Sequence, residues 1–132
     1  MNWLTVQDIE LIHIQIIDES GGSQGTRDAG RVESAIASMR QQAFGKDLYP
    51  GIFDKAAVLC RGIIADHPFV DGNKRTGMMS AIIFLNLNGV DTSKLQDQDL
   101  EDFAVKIAVD QLDVAAIAAW LEDNSKEKGK TI

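Results

Sequence analysis

Residues 67–77 read HPFVDGNKRTG and bring the most reactive side chains of this sequence into one short stretch. His67 can accept a proton from a hydroxyl group, and Asp71 can hold Mg²⁺ against phosphate oxygens. Lys74 offers a point charge to a phosphate, and Arg75 offers a bidentate fork. These residue types in this order suit phosphoryl or nucleotidyl transfer.

Each of these residues also has a structural interpretation when it is taken alone. A lone histidine is more often structural than catalytic, an aspartate such as Asp71 often caps a loop, and Lys74 and Arg75 are ordinary solvated residues. Phe69 is expected to anchor the loop in the core under either interpretation. The combination favours chemistry, because a loop built only for turning needs Gly, Asn and Asp but not His, Lys and Arg as well.

The motif is predicted to join two core helices. Apolar residues in 52–66 repeat at helical spacing, and His67 continues that series, so we expect His67 on the core side of the helix end. Pro68 disfavours helical geometry at His67, which ends the helix there. Residues 76–87 are apolar nearly all round, which predicts a buried central helix.

The start of this central helix is expected to form an anion site. Gly72 allows a backbone turn that a side chain would obstruct. Gly72 or Asn73 lies where the first free N–H groups of the helix point outward, and such a helix end attracts phosphate. Lys74 and Arg75 add positive charge, so a base, a carboxylate and an anion cradle are expected to converge across one loop.

Other apolar series predict the remaining helices. Thr5 is the expected N-cap of the first helix and Asp28 of the second. Two more helices follow, one with an apolar series from Leu100 to Ile107 and one that begins near Asp113. Residues 43–51 read as a loop or short extended flap, the one weak strand candidate. The chain is therefore expected to be all-α, with about six helices around one buried central helix.

His13 lies on the apolar face of the first predicted helix. A lone histidine among isoleucines is more often packed in the core or placed at its rim than used as a ligand. We therefore expect a packing role for His13.

Composition bounds the remaining possibilities. A chain of 132 residues makes one ordinary domain, expected over residues 1–124, with a polar and frayed tail over 125–132. One cysteine cannot form an internal disulfide, and neither a signal peptide nor a membrane span is visible, so we expect a cytoplasmic protein. A net charge of −7 disfavours direct binding of nucleic acid.

The motif H-P-F-x-D-G-N-K-R resembles the signature of the Fic/Doc (Fido) superfamily. Residues 21–28 (GGSQGTRD), 33–35 (ESA) and 48–50 (LYP) are similar to its death-on-curing (Doc) branch. The resemblance spans roughly residues 3–122 and implies the all-α Fido fold.

The resemblance also implies roles for the motif residues. His67 matches the general base toward a target hydroxyl, and Asp71 matches the residue that coordinates Mg²⁺ with the nucleotide phosphates. Asn73 and Arg75 match phosphate-binding positions, and Gly72 matches the position that shapes the anion hole.

Lys74 separates two activities within the superfamily. Fic proteins that transfer AMP carry glycine at this position, whereas the Doc branch carries lysine and binds ATP the other way round, with the γ-phosphate toward the target. The implied activity is a protein kinase that phosphorylates a threonine of elongation factor Tu and arrests translation. Doc proteins are toxins of type II toxin–antitoxin pairs, and an antitoxin helix covers the active-site region.

Three alternatives stay open at the level of sequence. The chain could be an AMP transferase, which Lys74 disfavours, or a non-catalytic Fido binding module, which the complete set of polar motif positions disfavours. A nucleic-acid-binding helical module is the third. Residues 34–39 (SAIASM) lack the glutamate and glycine of an inhibitory helix, so restraint is expected from another chain. Residues 44–50 lie where Fido proteins place the segment that aligns the target, although a plain surface loop explains them equally well.

Overall fold

The computed structural model describes residues 1–127, and their side chains as far as Ser125. It has six helices, as the apolar periodicity predicts: α1 Val6–Ser20, α2 Ala29–Ser38, α3 Ile52–Asp66, α4 Asn73–Leu87, α5 Asp97–Asp110 and α6 Val114–Asp123. The predicted all-α class is confirmed. None of the helices in this part of the chain is long and apolar enough to cross a membrane.

The predicted N-caps are confirmed by their hydrogen bonds. The Thr5 hydroxyl accepts from the N–H of Asp8 at 3.2 Å, and the Asp8 carboxylate accepts from the N–H of Thr5 in return. The Asp28 carboxylate caps α2 through the N–H of Gly30, and Asp113 caps α6 in the same manner. These side chains replace backbone acceptors that the first turn of a helix lacks.

Four two-residue strands accompany the helices. β1 Gln42–Ala43 and β2 Lys46–Asp47 form an antiparallel hairpin in the segment predicted as a flap. β3 Val90–Asp91 pairs antiparallel with β4 Lys126–Glu127. The second and third residues of the expected frayed tail, 126 and 127, are therefore paired, and residues 128–132 lie outside the described part. The division into a domain of 1–124 and a tail stays a prediction.

The core is centred on α3 and α4 together. The predicted central helix, α4, is therefore one of two central helices, and the other is α3, which precedes the motif. Nine residues of each helix are buried. Gly77 allows the close approach, because a Cβ atom there would lie 3.1 Å from the carbonyl oxygen of Cys60. α1 and α5 pack against α4, while α2 and α6 pack against α3. This pairing fixes both ends of the motif loop.

Candidate active site

His67 ends α3 in a left-handed backbone conformation, with φ 48° and ψ 59°. Its N–H still donates to the carbonyl of Ile63, but its side chain is exposed. The prediction that His67 faces the core is wrong. The prediction continues the helical periodicity of α3 beyond Asp66. The positive φ of His67 instead redirects the chain there and turns the imidazole outward. An exposed imidazole is open to a hydroxyl group on another protein.

A loop between α1 and α2 frames the first part of the motif. The N–H groups of Arg27 and Asp28 both donate to the carbonyl of Pro68, at 2.7 and 3.0 Å. The N–H of Val70 donates to the carbonyl of Gly25 at 3.0 Å. The segment that resembles the Doc branch at residues 21–28 thus pairs directly with the motif.

Arg31 contacts the C-terminal end of α3, directly before His67. Its guanidinium donates to the carbonyl of Asp66 and lies 3.3 Å from the carboxylate of Asp28. This role could not be predicted from local sequence patterns, because Arg31 and Asp66 are 35 positions apart.

Phe69 and Asn73 hold the turn of the loop. Phe69 is fully buried, which confirms its predicted role as an anchor. The Asn73 side chain accepts from the N–H of Phe69 at 2.9 Å and donates to its carbonyl at 3.0 Å. Both polar ends of this amide are therefore engaged with the loop. The group that Asn73 presents to an anion is its backbone N–H, as the first residue of α4.

Asp71 presents an ionised carboxylate at the rim of the loop. One oxygen accepts from the N–H of Ser23 at 3.2 Å, and the other accepts from the N–H of Gly72 at 2.8 Å. These hydrogen bonds, the one from Ser23 above all, lower the pKa of Asp71 against the opposing effect of burial, and the charge of Arg75 lowers it further. A carboxylate that is charged at neutral pH can ligate a divalent cation.

Gly72 makes the turn into α4 possible. Its φ is +77°, a left-handed conformation that glycine adopts without strain. A Cβ atom there would lie 2.9 Å from the Cδ1 atom of Ile17. After this turn, the N–H groups of Asn73, Lys74 and Arg75 begin α4 and lack partners within the helix. A helix start of this kind attracts anions.

A cavity of about 680 Å³ opens over the start of α4. Its lining consists of residues from the motif loop and α4, from the end of α1 and from one side of α5: Ile16, Glu19, Ser20, Asp71, Gly72, Asn73, Lys74, Arg75, Met78, Met79, Asp97, Leu100, Glu101, Ala104 and Val105. The structure thus brings together five of the six predicted site residues. His67 lies outside this lining, at the exposed start of the same loop.

The two cations of the cavity are not engaged by carboxylates. Neither ion pair found among residues 1–125 involves Lys74 or Arg75. Lys74 is exposed, and the Arg75 guanidinium makes one hydrogen bond, at 3.4 Å, to the carbonyl of Gly21. Both charges are therefore free to bind phosphate oxygens.

The cavity fits a nucleotide with its metal ion. Its volume lies in the range that holds ligands of that size. No group of three or more His, Cys, Asp or Glu residues within the described chain could hold a metal alone. Asp71 would thus share a cation with the nucleotide phosphates, and Mg²⁺ binds in that way through one or two carboxylates plus phosphate oxygens.

His13 is a site residue whose importance the sequence did not reveal. It is 2% exposed, so the predicted packing role is confirmed. Its Nε2 atom also lies 2.7 Å from the carbonyl oxygen of Asp71, and its ring stacks on Phe69 with the centroids 4.0 Å apart. α1 therefore contacts the motif directly.

Comparison with known proteins places these features in a family. The model of a family described as Fic/DOC matches residues 3–85, which include the whole motif. The chain is 39% identical over 102 residues to "Toxin Doc" of Mycolicibacterium smegmatis, covering 76% of this chain and 78% of that protein. It is 28% identical over 121 residues to "Protein kinase doc" of Escherichia phage P1, covering 92% and 94%.

Proposed function

The chain belongs to the Fic/DOC family, and on that premise we propose that it is a protein kinase that transfers the γ-phosphate of ATP to a protein hydroxyl. The observation that carries the proposal is the start of α4. Its free N–H groups, Lys74 and Arg75 face a cavity of nucleotide size beside the ionised Asp71. One relative is named a protein kinase.

The residues divide the reaction between them. Gly72, Lys74 and Arg75, with the backbone of Asn73, bind the phosphates of ATP. Asp71 would hold Mg²⁺ together with those phosphates, and a bound Mg²⁺ would supply positive charge to the transferred phosphoryl group. His67 takes the proton of the attacking hydroxyl as its oxygen bonds to the γ-phosphorus and the bond to ADP breaks.

Lys74 supports phosphate transfer over AMP transfer. A glycine at this position leaves exposed backbone and room for a phosphate, whereas lysine fills that room and adds a charge. Lys74 is exposed at the cavity, where its ammonium group can contact the nucleotide. We infer that it turns ATP so that the γ-phosphate faces the target.

We further propose that the target is a threonine of elongation factor Tu and that the chain is the toxin of a toxin–antitoxin pair. One relative is named a toxin. Such a target places the action of the chain in the cytoplasm and makes arrest of translation its effect. The restraint is expected from a separate antitoxin, because residues 34–39, most of which lie in α2, lack the glutamate and glycine of an inhibitory helix.

The test of the substrate uses purified elongation factor Tu, Mg²⁺ and ATP with the chain or its His67→Ala variant. We expect the wild-type chain to add one phosphate, which peptide mapping by mass spectrometry places on a threonine, and the variant to add none. If the factor stays unmodified while the same preparation phosphorylates another protein in a cell lysate, the proposed substrate is wrong and the kinase activity stands.

A further inference from the structure

His13 is a buried titratable residue that the mechanism above does not use. It lies in the middle of α1, and it contacts the motif loop in two ways. Its ring lies flat on Phe69, with 6° between the ring planes, and its Nε2 atom is 2.7 Å from the carbonyl oxygen of Asp71. The stack is a packing contact, but the hydrogen bond reaches the main chain of the residue assigned to the metal ion.

The direction of this hydrogen bond follows from its acceptor. A carbonyl oxygen accepts and never donates, so the Nε2 atom of His13 carries the proton in this contact. The carbonyl of Asp71 and the N–H of Gly72 belong to one planar trans peptide and therefore point in opposite directions. By holding the oxygen toward α1, His13 turns the N–H of Gly72 to the other side.

That N–H is one of two donors that fix the Asp71 carboxylate. Gly72 donates to one carboxylate oxygen at 2.8 Å, and Ser23 donates to the other at 3.2 Å. A flip of the peptide between Asp71 and Gly72 would break both the bond to His13 and the bond from Gly72. The orientation of the carboxylate thus depends on a donor in α1, 58 positions away in sequence.

We propose that His13 is a positioning residue for phosphate transfer. It fixes the peptide between Asp71 and Gly72, and through that peptide it holds the carboxylate and the start of α4 in place for the phosphates and their metal ion. The inference rests on the proposed function, because it assigns Asp71 to the Mg²⁺-bound nucleotide.

Two variants separate the hydrogen bond from the stack. His13→Phe keeps a flat ring against Phe69 and removes the donor, whereas His13→Gln keeps an amide donor and removes the ring. Each is prepared in the full chain, and kcat and KM are measured for Mg²⁺-ATP and for the protein substrate. Thermal unfolding is recorded for each variant as a measure of packing.

A positioning role predicts that activity follows the donor. We expect kcat/KM for Mg²⁺-ATP to fall about tenfold or more in His13→Phe, with KM for the protein substrate unchanged, because a loss of about 1.4 kcal/mol in the transition state is tenfold in rate. His13→Gln should stay within roughly threefold of the wild type even though it unfolds at a lower temperature. Wild-type kcat/KM in His13→Phe, or an equal loss in both variants, would overturn the proposal.

A second readout does not depend on the reaction. The amide proton of Gly72 bonds to a carboxylate, so its NMR resonance should lie downfield of the Lys74 amide, which begins a helix without a partner. We expect this shift in the wild type and in His13→Gln but not in His13→Phe. If the wild type transfers no phosphate, the proposed function fails. The Gly72 resonance still shows whether His13 fixes the peptide between Asp71 and Gly72. An unshifted Gly72 amide in the wild type overturns the inference without any variant.

Discussion

His67 combines a left-handed backbone with an exposed side chain, so its contributions to catalysis and to stability can be separated. A non-glycine residue in this conformation costs about 1–2 kcal/mol, and glycine adopts it freely. We expect His67→Gly to abolish phosphate transfer while raising the free energy of unfolding by about 1 kcal/mol. Denaturant unfolding and a transfer assay on one preparation measure both.

The control for this prediction is His67→Ala, which removes the imidazole but keeps the strain. It should be inactive and no more stable than the wild type. Phosphate transfer in either variant would mean that another group takes the proton of the hydroxyl.

Lys74 is the residue that we propose decides which phosphate of ATP is transferred. We expect Lys74→Gly to lower phosphate transfer and to admit AMP transfer, because it removes the ammonium and opens room beside the phosphates. Lys74→Ala removes the same charge and avoids the penalty of about 1 kcal/mol for glycine in a helix, so it controls for folding. Unchanged amounts of both products in Lys74→Gly would show that Lys74 does not set the orientation of ATP.

The place of a single residue in the site was predictable for residues within the motif. It was not predictable for residues whose contacts are distant in the sequence. Asp71, Gly72, Lys74 and Arg75 meet at one cavity because they are consecutive or nearly so in sequence. His13 could not be placed in this way, because its partner is 58 positions away and only the packing of α1 on α4 brings the two together.

The β1–β2 hairpin is anchored to α3 by a buried lysine side chain. Lys55, in the first turn of α3, is buried and donates to the carbonyls of Tyr49 and Pro50. It also pairs with the carboxylate of Asp47 at 3.5 Å. Lys55 lies in the first turn of α3 and His67 at its other end, about 18 Å away along the helix axis. That the hairpin aligns the target stays a prediction.

Replacing this anchor tests what holds the hairpin. Lys55→Met keeps an unbranched chain and removes the ammonium, which leaves two carbonyls without their donor. Each unpaired group costs about 1–3 kcal/mol if it stays buried. We expect hydrogen exchange of the hairpin amides to accelerate in Lys55→Met while the amides of α4 keep their protection. Equal acceleration in both elements would mean that the whole fold is weakened instead.

The same hairpin should respond to acid in a defined direction. The hydrogen bond from the Gln42 side chain lowers the pKa of Asp47 most, burial opposes it, and the hydrogen bond and charge of Lys55 lower the pKa further. The stabilisation by Asp47 is therefore present above its ordinary pKa of 3.8 and is lost as the pH falls through its lower value in the folded state. Hairpin amides should thus keep their protection at pH 5 and lose it only well below pH 4.

At the scale of the whole molecule, the paired helices α3 and α4 carry the fold. Leu85 is fully buried in α4, whereas Leu87 on the same helix is 47% exposed. Leu85→Asp places a charge in the core and should abolish cooperative folding. Leu87→Asp makes the same chemical change near the surface and should alter stability by about 0.5 kcal/mol at most. Circular dichroism melting curves compare the two, and equal melting temperatures would contradict the assignment of the core.

The helical architecture was predictable because long amphipathic series carry a strong signal and Thr5, Asp28 and Asp113 mark where helices start. The β3–β4 pair was not predictable, since strands of two residues show no alternation. Its partners, 90–91 and 126–127, are separated in the sequence by two helices, α5 and α6. The exposure of His67 was missed for a related reason, because helical periodicity says nothing about the first residue beyond the helix.

The most direct test of the proposed kinase activity determines which phosphate of ATP is transferred to a protein. The wild-type chain is incubated with Mg²⁺ and a cell lysate, once with ATP labelled on the γ-phosphate and once with ATP labelled on the α-phosphate. We expect label on protein from the γ-position alone, and none from either position with His67→Ala. Label from the α-position would make the chain an AMP transferase, and label from neither would make it a domain that binds without transferring, so either result would contradict the kinase.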